Sequence, residues 1–282
     1  MEKIAIITDS ASDVSVELLK EYNITLLPFR VFYKDKEYAD RIELTPDMMY
    51  ERLEEEIPKT SLPSTELIIS TLDRLVEEGY THAIFITISA ALSGTFNAIR
   101  LICDDYEKLE NFVFDSMTLT MAEGAMVLEA AKLAQQGKSF KEICEILPTY
   151  RDKIDLFFTI DTLEYLQKGG RIGRVAGAVG QLLNLKPIIT VADDGKYTVS
   201  AKARGSKQAI SKLENICKGY IEKNKYKIWV LEGHAKEKAH ALIEEINKMP
   251  NVVECTYAGT IGPALGVNTG PGLVGFALER VD

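Results

Sequence analysis

The stretch Thr87-Ile88-Ser89-Ala90-Ala91-Leu92-Ser93-Gly94-Thr95-Phe96-Asn97-Ala98 decides how the rest of the chain is read. It closes the apolar run 83–88, which has the composition of a buried strand. Beyond it, Phe96, Ile99, Ile102 and Cys103 fall on one face of a helix over 96–103. Two serines, a glycine and a threonine therefore stand where a strand ends and a helix begins. Ligands of open α/β sheets bind at such places, because loops diverge there and the helix start offers unpaired N–H groups that favour an anion. Two tasks suit Ser93: capping the helix, with Gly94 permitting the turn, or holding an anion.

Strands and helices alternate around this stretch. Residues 3–7 form a short strand ending in Thr8-Asp9-Ser10, and Ser12 or Asp13 starts a helix. Residues 24–33 are extended but interrupted by Pro28, which fits an edge or bent strand. Thr45-Pro46-Asp47 opens a helix with a hydroxyl cap, a proline and an acid in the first turn. Ser64 caps a helix that Gly79 stops, which leaves Thr60 and Ser61 on a loop without a local task. A strand over 111–115, an alanine-rich helix over 118–136 and a capping box at Ser139 and Glu142 follow. This alternation predicts a parallel sheet wrapped by helices.

After Asp155 the pattern changes. A strand over 156–160 and a short helix over 161–167 lead to the cationic loop Lys168-Gly169-Gly170-Arg171-Ile172-Gly173-Arg174, then a small-residue helix over 175–183. Residues 186–192 and 197–203 read as strands paired through Asp194-Gly195, a strong hairpin signal. Helices over 205–222 and 236–248 alternate with strands over 227–231 and 252–258. A glycine-proline loop over 262–272 and a last strand over 273–278 close the chain. The expected fold class is α/β in two domains: an N-terminal parallel-sheet α/β/α domain over 1–154 and a C-terminal α+β domain with a mixed sheet over 155–282.

Composition narrows the function. An apolar content of 46% and a charged content of 27% are those of an ordinary soluble globular protein. The net charge of -9 argues against nucleic acid as a partner. Cys103, Cys144, Cys217 and Cys255 are widely spaced, which is neither a zinc pattern nor a disulfide framework, and suits a reducing cytosol. Neither a signal peptide nor an apolar run of membrane-spanning length is present, so a cytoplasmic location is expected.

Catalysis by familiar groups has little to work with. There is no G-x-x-x-x-G-K-[ST] or G-x-G-x-x-G phosphate loop and no G-x-S-x-G elbow. The three histidines, His82, His234 and His240, are placed away from Ser93, and no metal-ligand spacing stands out. What remains is a set of neutral groups at loop ends, Thr60, Ser61, Ser89, Ser93, Thr95, Asn268 and Thr269, beside the cationic 168–174 loop. Such groups can hold a carboxylate without transforming it. A small-molecule transferase or hydrolase using the same loops is the alternative, and an interaction module built on Arg171, Arg174, Arg204 and Lys207 is a third reading.

Taken as a set, Thr8-Asp9-Ser10, Thr60-Ser61-x-Pro63-Ser64, Ser89-x-x-Leu92-Ser93-Gly94-Thr95, Lys168-Gly169-Gly170-Arg171-Ile172, Lys186-Pro187 and Gly270-Pro271-Gly272 resemble the DegV family of bacterial fatty-acid-binding proteins. The resemblance implies a non-enzymatic two-domain protein that needs no cofactor or metal and holds a long-chain fatty acid such as palmitate in an apolar tunnel. It implies carboxylate contacts from Ser61, with Thr60 beside it, and from Ser93. It also implies lipid transport, or presentation of the acyl chain to a separate fatty acid kinase that feeds phospholipid synthesis, with Arg171 and Arg204 as candidates for the partner surface or the acyl-phosphate. Many members carry histidine before the terminal Gly-Pro-Gly segment, where this chain has Asn268. Asparagine still donates an amide hydrogen bond but cannot become cationic.

Overall fold

A computed structural model describes residues 2–179 and 185–281. The first half runs β1 (Ile4–Asp9), α1 (Val16–Glu21), β2 (Ile24–Leu27), β3 (Arg30–Phe32), β4 (Glu37–Ala39), α2 (Pro46–Arg52), β5 (Lys59–Ser61), α3 (Thr65–Glu77), β6 (His82–Thr87), α4 (Thr95–Asp104), β7 (Glu110–Asp115), α5 (Thr120–Gln135) and α6 (Phe140–Arg151). The second half runs β8 (Ile154–Thr159), α7 (Glu164–Lys168), α8 (Gly173–Val179), β9 (Leu185–Val191), β10 (Tyr197–Arg204), α9 (Gly205–Ile221), β11 (Lys225–Gly233), α10 (Lys236–Ile246), β12 (Val252–Thr260), α11 (Pro263–Thr269) and β13 (Leu273–Val281). The part of the expected 175–183 helix at 180–184 lies outside the described residues.

The apolar strands of the first half pair in parallel in the order β2-β1-β6-β7, with Ile6 opposite Ile84 and Ile84 opposite Phe112. The strand order reverses between β1 and β6, and the loops leaving their carboxyl ends diverge, which opens a crevice there. The second half builds a six-stranded mixed sheet in the order β10-β9-β8-β13-β11-β12, and the Asp194-Gly195 turn joins β9 and β10 as an antiparallel hairpin. Two helix pairs pack on the outside: α3 and α4 behind the parallel sheet, α9 and α10 behind the mixed one.

Between the sheets lies α5. Its alanines and Gly124 let it approach neighbours closely, and it is buried along most of its length. The largest apolar cluster joins Ile84, Ile86 and Met126 to Leu156, Phe158 and Leu273, so residues from both halves share one core.

Three expectations change. The helix expected to start at Ser12 or Asp13 begins at Val16, because Ser15 accepts from the Leu18 N–H at 3.3 Å while residues 10–12 make a separate 3-10 turn. Thr60 and Ser61 are not on a loop but in β5, an edge of a small antiparallel sheet ordered β4-β3-β5. The 262–272 segment is not all loop, since α11 forms within it from Pro263. Proline suits the first helical position, and the acceptors that stabilise this helix start come from distant carboxylates, Asp13 and Asp40.

Candidate functional site

The crevice at the β1–β6 switch is closed from above by β5, α11 and the loop before α8. Phe29, Thr60, Ile88, Leu92, Ser93, Arg171, Tyr197, Ala264, Leu265 and Asn268 line a narrow cavity of about 40 Å³ there. Four segments far apart in sequence thus contribute one polar side chain each: Thr60, Ser93, Arg171 and Asn268.

Each is placed by local physics. Ser93 does not occupy the cap position of α4, which Gly94 takes without a side-chain bond. Its Oγ instead accepts from the Thr95 N–H at 3.3 Å and lies 2.8 Å from Thr95 Oγ1, so it serves the helix start while still facing the cavity. Thr60 reaches the cavity from β5. Ser61, its neighbour on the strand, is not among the lining residues, because successive strand residues point to opposite faces. Of the two hydroxyls that the resemblance names, Ser61 and Thr60, it is Thr60 that faces the cavity.

Asn268 sits on α11 and donates from Nδ2 to the Ala264 carbonyl at 2.9 Å. Its Oδ1 rests so close to Gly169 that a Cβ there would overlap it, which gives the Lys168-Gly169-Gly170 motif a packing reason. Arg171 is half-buried. It donates from Nη1 to the Gly169 carbonyl at 2.5 Å and from Nε toward the Leu92 carbonyl at 3.5 Å. Those bonds bend it into the cavity, whereas Arg204 is exposed at the end of β10 and does not line it. Arg174 is exposed too and pairs with Asp194 at 2.6 Å.

Ser89, the other serine of the opening stretch, has a different task. It is fully buried, and its hydroxyl donates to the Gly195 carbonyl at 2.8 Å, linking the β6 loop to the tip of the β9–β10 hairpin. Gly195 has φ +75°, and a Cβ on it would collide with Ser89 Oγ. Only glycine meets both conditions. The hairpin so anchored carries Tyr197, edge-on to Phe158 with ring centroids 5.5 Å apart.

Tyr197 and Leu265 also line a second, smaller cavity of about 20 Å³, whose walls include Leu119, Leu156, Phe158, Leu231, Ile261 and Leu273. It lies between the mixed sheet and the ends of α5 and α11, and its surroundings are almost wholly hydrocarbon. A polar pocket and an apolar cavity thus meet at two shared side chains. The periodicity of β8, β11 and β13 could not announce this, because a cavity-lining leucine and a core leucine follow the same alternation.

Behind the polar pocket lies a cluster the sequence reading missed: Asp9, Asp13, Asp40 and Glu123, all buried. Asp9 accepts from the N–H groups of Ile88 and Ala11, each at 2.9 Å. Asp40 accepts from Ser10 Oγ at 2.5 Å and from the Ala264 N–H at 3.1 Å. Asp13 accepts from Arg41, Thr120 and the Gly262 N–H. Burial pushes the carboxyls of Asp9 and Asp40 up to about 7 despite these bonds, and it raises Asp13 and Glu123 as well.

The histidines stand elsewhere. His82, at the opposite end of β6, faces Glu110 at 3.2 Å, and His240 is exposed and stacks on Tyr257. Among the described residues no histidine lines the polar pocket and no group of potential metal ligands gathers. No helix there is long and apolar enough to cross a membrane.

A family model described as an uncharacterised protein of the DegV family matches residues 3–281. The chain belongs to the DegV family. It is 44% identical over 278 residues to a DegV domain-containing protein of Clostridium acetobutylicum, covering 99% of each chain. In structure it is similar to DegV, a fatty acid binding protein from Bacillus subtilis, at a TM-score of 0.91 and 27% identity over the full length of both. A stearic acid-binding protein from Eubacterium ventriosum matches at a TM-score of 0.89 and 29% identity, over 99% of this chain and 98% of that one. The DegV family resemblance read from the motifs is thereby established, as is the mixed α/β architecture.

Proposed function

We propose that this chain binds a long-chain fatty acid, with the carboxylate in the pocket of Thr60, Ser93, Arg171 and Asn268 and the acyl chain in the adjoining apolar cavity. The observation that carries this reading is the junction at Tyr197 and Leu265, where a pocket with hydroxyl, amide and guanidinium donors opens against one walled by hydrocarbon. Each end of a fatty acid has its own physical requirement. Burial of the tail contributes about 0.8 kcal/mol per methylene, and the head group needs hydrogen bonds that offset its desolvation. The solved relatives named for fatty acid binding support the assignment.

The guanidinium changes how Asn268 is understood. Asparagine cannot supply the positive charge of a histidinium, but Arg171 brings a permanent one into the same pocket. A charge-assisted contact to the carboxylate is then available at any physiological pH. Ser61 stays outside this proposal, and Arg204 belongs to it only as part of an exposed surface for a partner. The protein serves in this reading as a carrier without catalysis, in the cytoplasm, with units 1–154 and 155–282 enclosing the ligand between them. Handing the acyl chain to a separate kinase is the use that such a head-group site would serve.

Mass spectrometry of a denatured extract of the purified protein should show one fatty acid per chain. Protein that is empty and also fails to take up palmitate would sink the proposal. Ser93→Ala should weaken retention roughly tenfold, the loss of one hydrogen bond to a charged group. Substitution of the exposed His240 should leave retention unchanged.

A further inference from the structure

The buried carboxylates suggest more than a structural filler, because their hydrogen bonds end on both walls of the polar pocket. Asp9 holds the N–H of Ile88, which lines the pocket from the β6 side. Asp40 and Asp13 hold the N–H groups of Ala264 and Gly262, where α11 starts. The same helix carries Leu265 and Asn268 into the pocket. Its own cap residue, Gly262, has no side chain to offer, so the acceptors come from more than two hundred residues away, from Asp13 in the turn after β1 and Asp40 directly after β4. Asp40 is further fixed by Ser10, whose Oγ also accepts from the Phe29 N–H at 3.0 Å, and Phe29 is itself a pocket residue.

We infer that Asp40 is a positioning residue of the head-group pocket: through the Ala264 N–H it sets the place of α11 and hence of Asn268 and Leu265. Asp13 shares the load through Gly262. The inference rests on the carboxylate reading of the pocket, and it gives Asp9 and Ser10 of the Thr8-Asp9-Ser10 segment a task although neither lines the cavity.

The test uses the full chain with Asp40→Ala, Asp40→Asn and, as a control of stability alone, Ile68→Val in the core behind the parallel sheet. In ligand-free protein, Asp40→Ala should shift the Ala264 amide and the Asn268 side-chain amide in nitrogen–proton NMR spectra and speed exchange of the Ala264 N–H. Asp40→Asn keeps an acceptor for Ala264 and should restore both signals to near their original positions. Palmitate affinity should fall at least tenfold in Asp40→Ala and by less than threefold in Asp40→Asn and Ile68→Val. Unmoved Asn268 and Ala264 signals in Asp40→Ala would overturn the inference, as would affinity losses that follow stability across all three variants. If the original protein binds no palmitate, the fatty acid reading fails by itself, while the NMR comparison still decides the role of Asp40.

Discussion

Raising the pH from about 5 to about 8 should lower the thermal unfolding midpoint by several degrees, which is the reverse of ordinary acid destabilisation. The cause is the buried cluster. Desolvation pushes Asp9 and Asp40 up to about 7, and Asp13 and Glu123 are raised too, Glu123 with one carboxyl oxygen buried without a partner. Arg41 is the cation that faces them, paired with Asp13, while Asp115 adds a further negative charge near Glu123. In the unfolded chain the same groups titrate near the usual value of about 4. Between the two values the folded state holds more protons than the unfolded one. The resulting stability is fully present below the unfolded pKa and is lost as pH rises through the folded one. Surface carboxylates with lowered values act below this window, as Glu142 at about 2 illustrates, so they do not mask the effect. Asp40→Asn removes one of the titrating groups and should flatten the slope. Calorimetry across the range checks this, and a midpoint that stays level or rises toward pH 8 would count against the protonation argument.

That cluster also marks the limit of what the residues disclose in order. The alternation around 83–98 led correctly to a parallel sheet, and Asp194-Gly195 to the hairpin, because both are local signals of period and turn. Ser93, Thr60 and Asn268 were named from motifs, and the fold brings these three into one cavity. The choice between Thr60 and Ser61 needed the strand β5, which three residues beside a proline do not reveal. Arg171 stood out as a cation, but only its bonds to Gly169 and Leu92 aim it at the pocket. Asp13, Asp40 and the start of α11 were unreadable because each is completed by a partner more than two hundred residues away.

Gly275→Val should abolish fatty acid retention while leaving every head-group residue in place. Gly275 lines the apolar cavity on β13, directly opposite Phe158 on β8. Directly opposed residues of an antiparallel pair project to the same face, so a side chain at 275 enters the space that Phe158 borders. A Cβ alone would stand 2.5 Å from Phe158 Cβ and 2.6 Å from the Phe157 carbonyl oxygen, closer than packed atoms approach. The valine must therefore push Phe158 and take up cavity volume. Overpacking of this kind costs about 1–3 kcal/mol of stability. If it excludes as few as four methylenes, binding loses ~3 kcal/mol, or over a hundredfold. Ile68→Val lies behind the parallel sheet, away from the cavity, and should keep its ligand. The comparison with Ser93→Ala separates the two ends of the molecule: the serine change weakens the grip on the carboxylate, whereas the glycine change removes room for the tail. Extracts analysed by mass spectrometry should then show a reduced fatty acid signal from Ser93→Ala and none from Gly275→Val. A folded Gly275→Val protein that still carries a full complement of long-chain acid would place the tail somewhere other than the face of the mixed sheet.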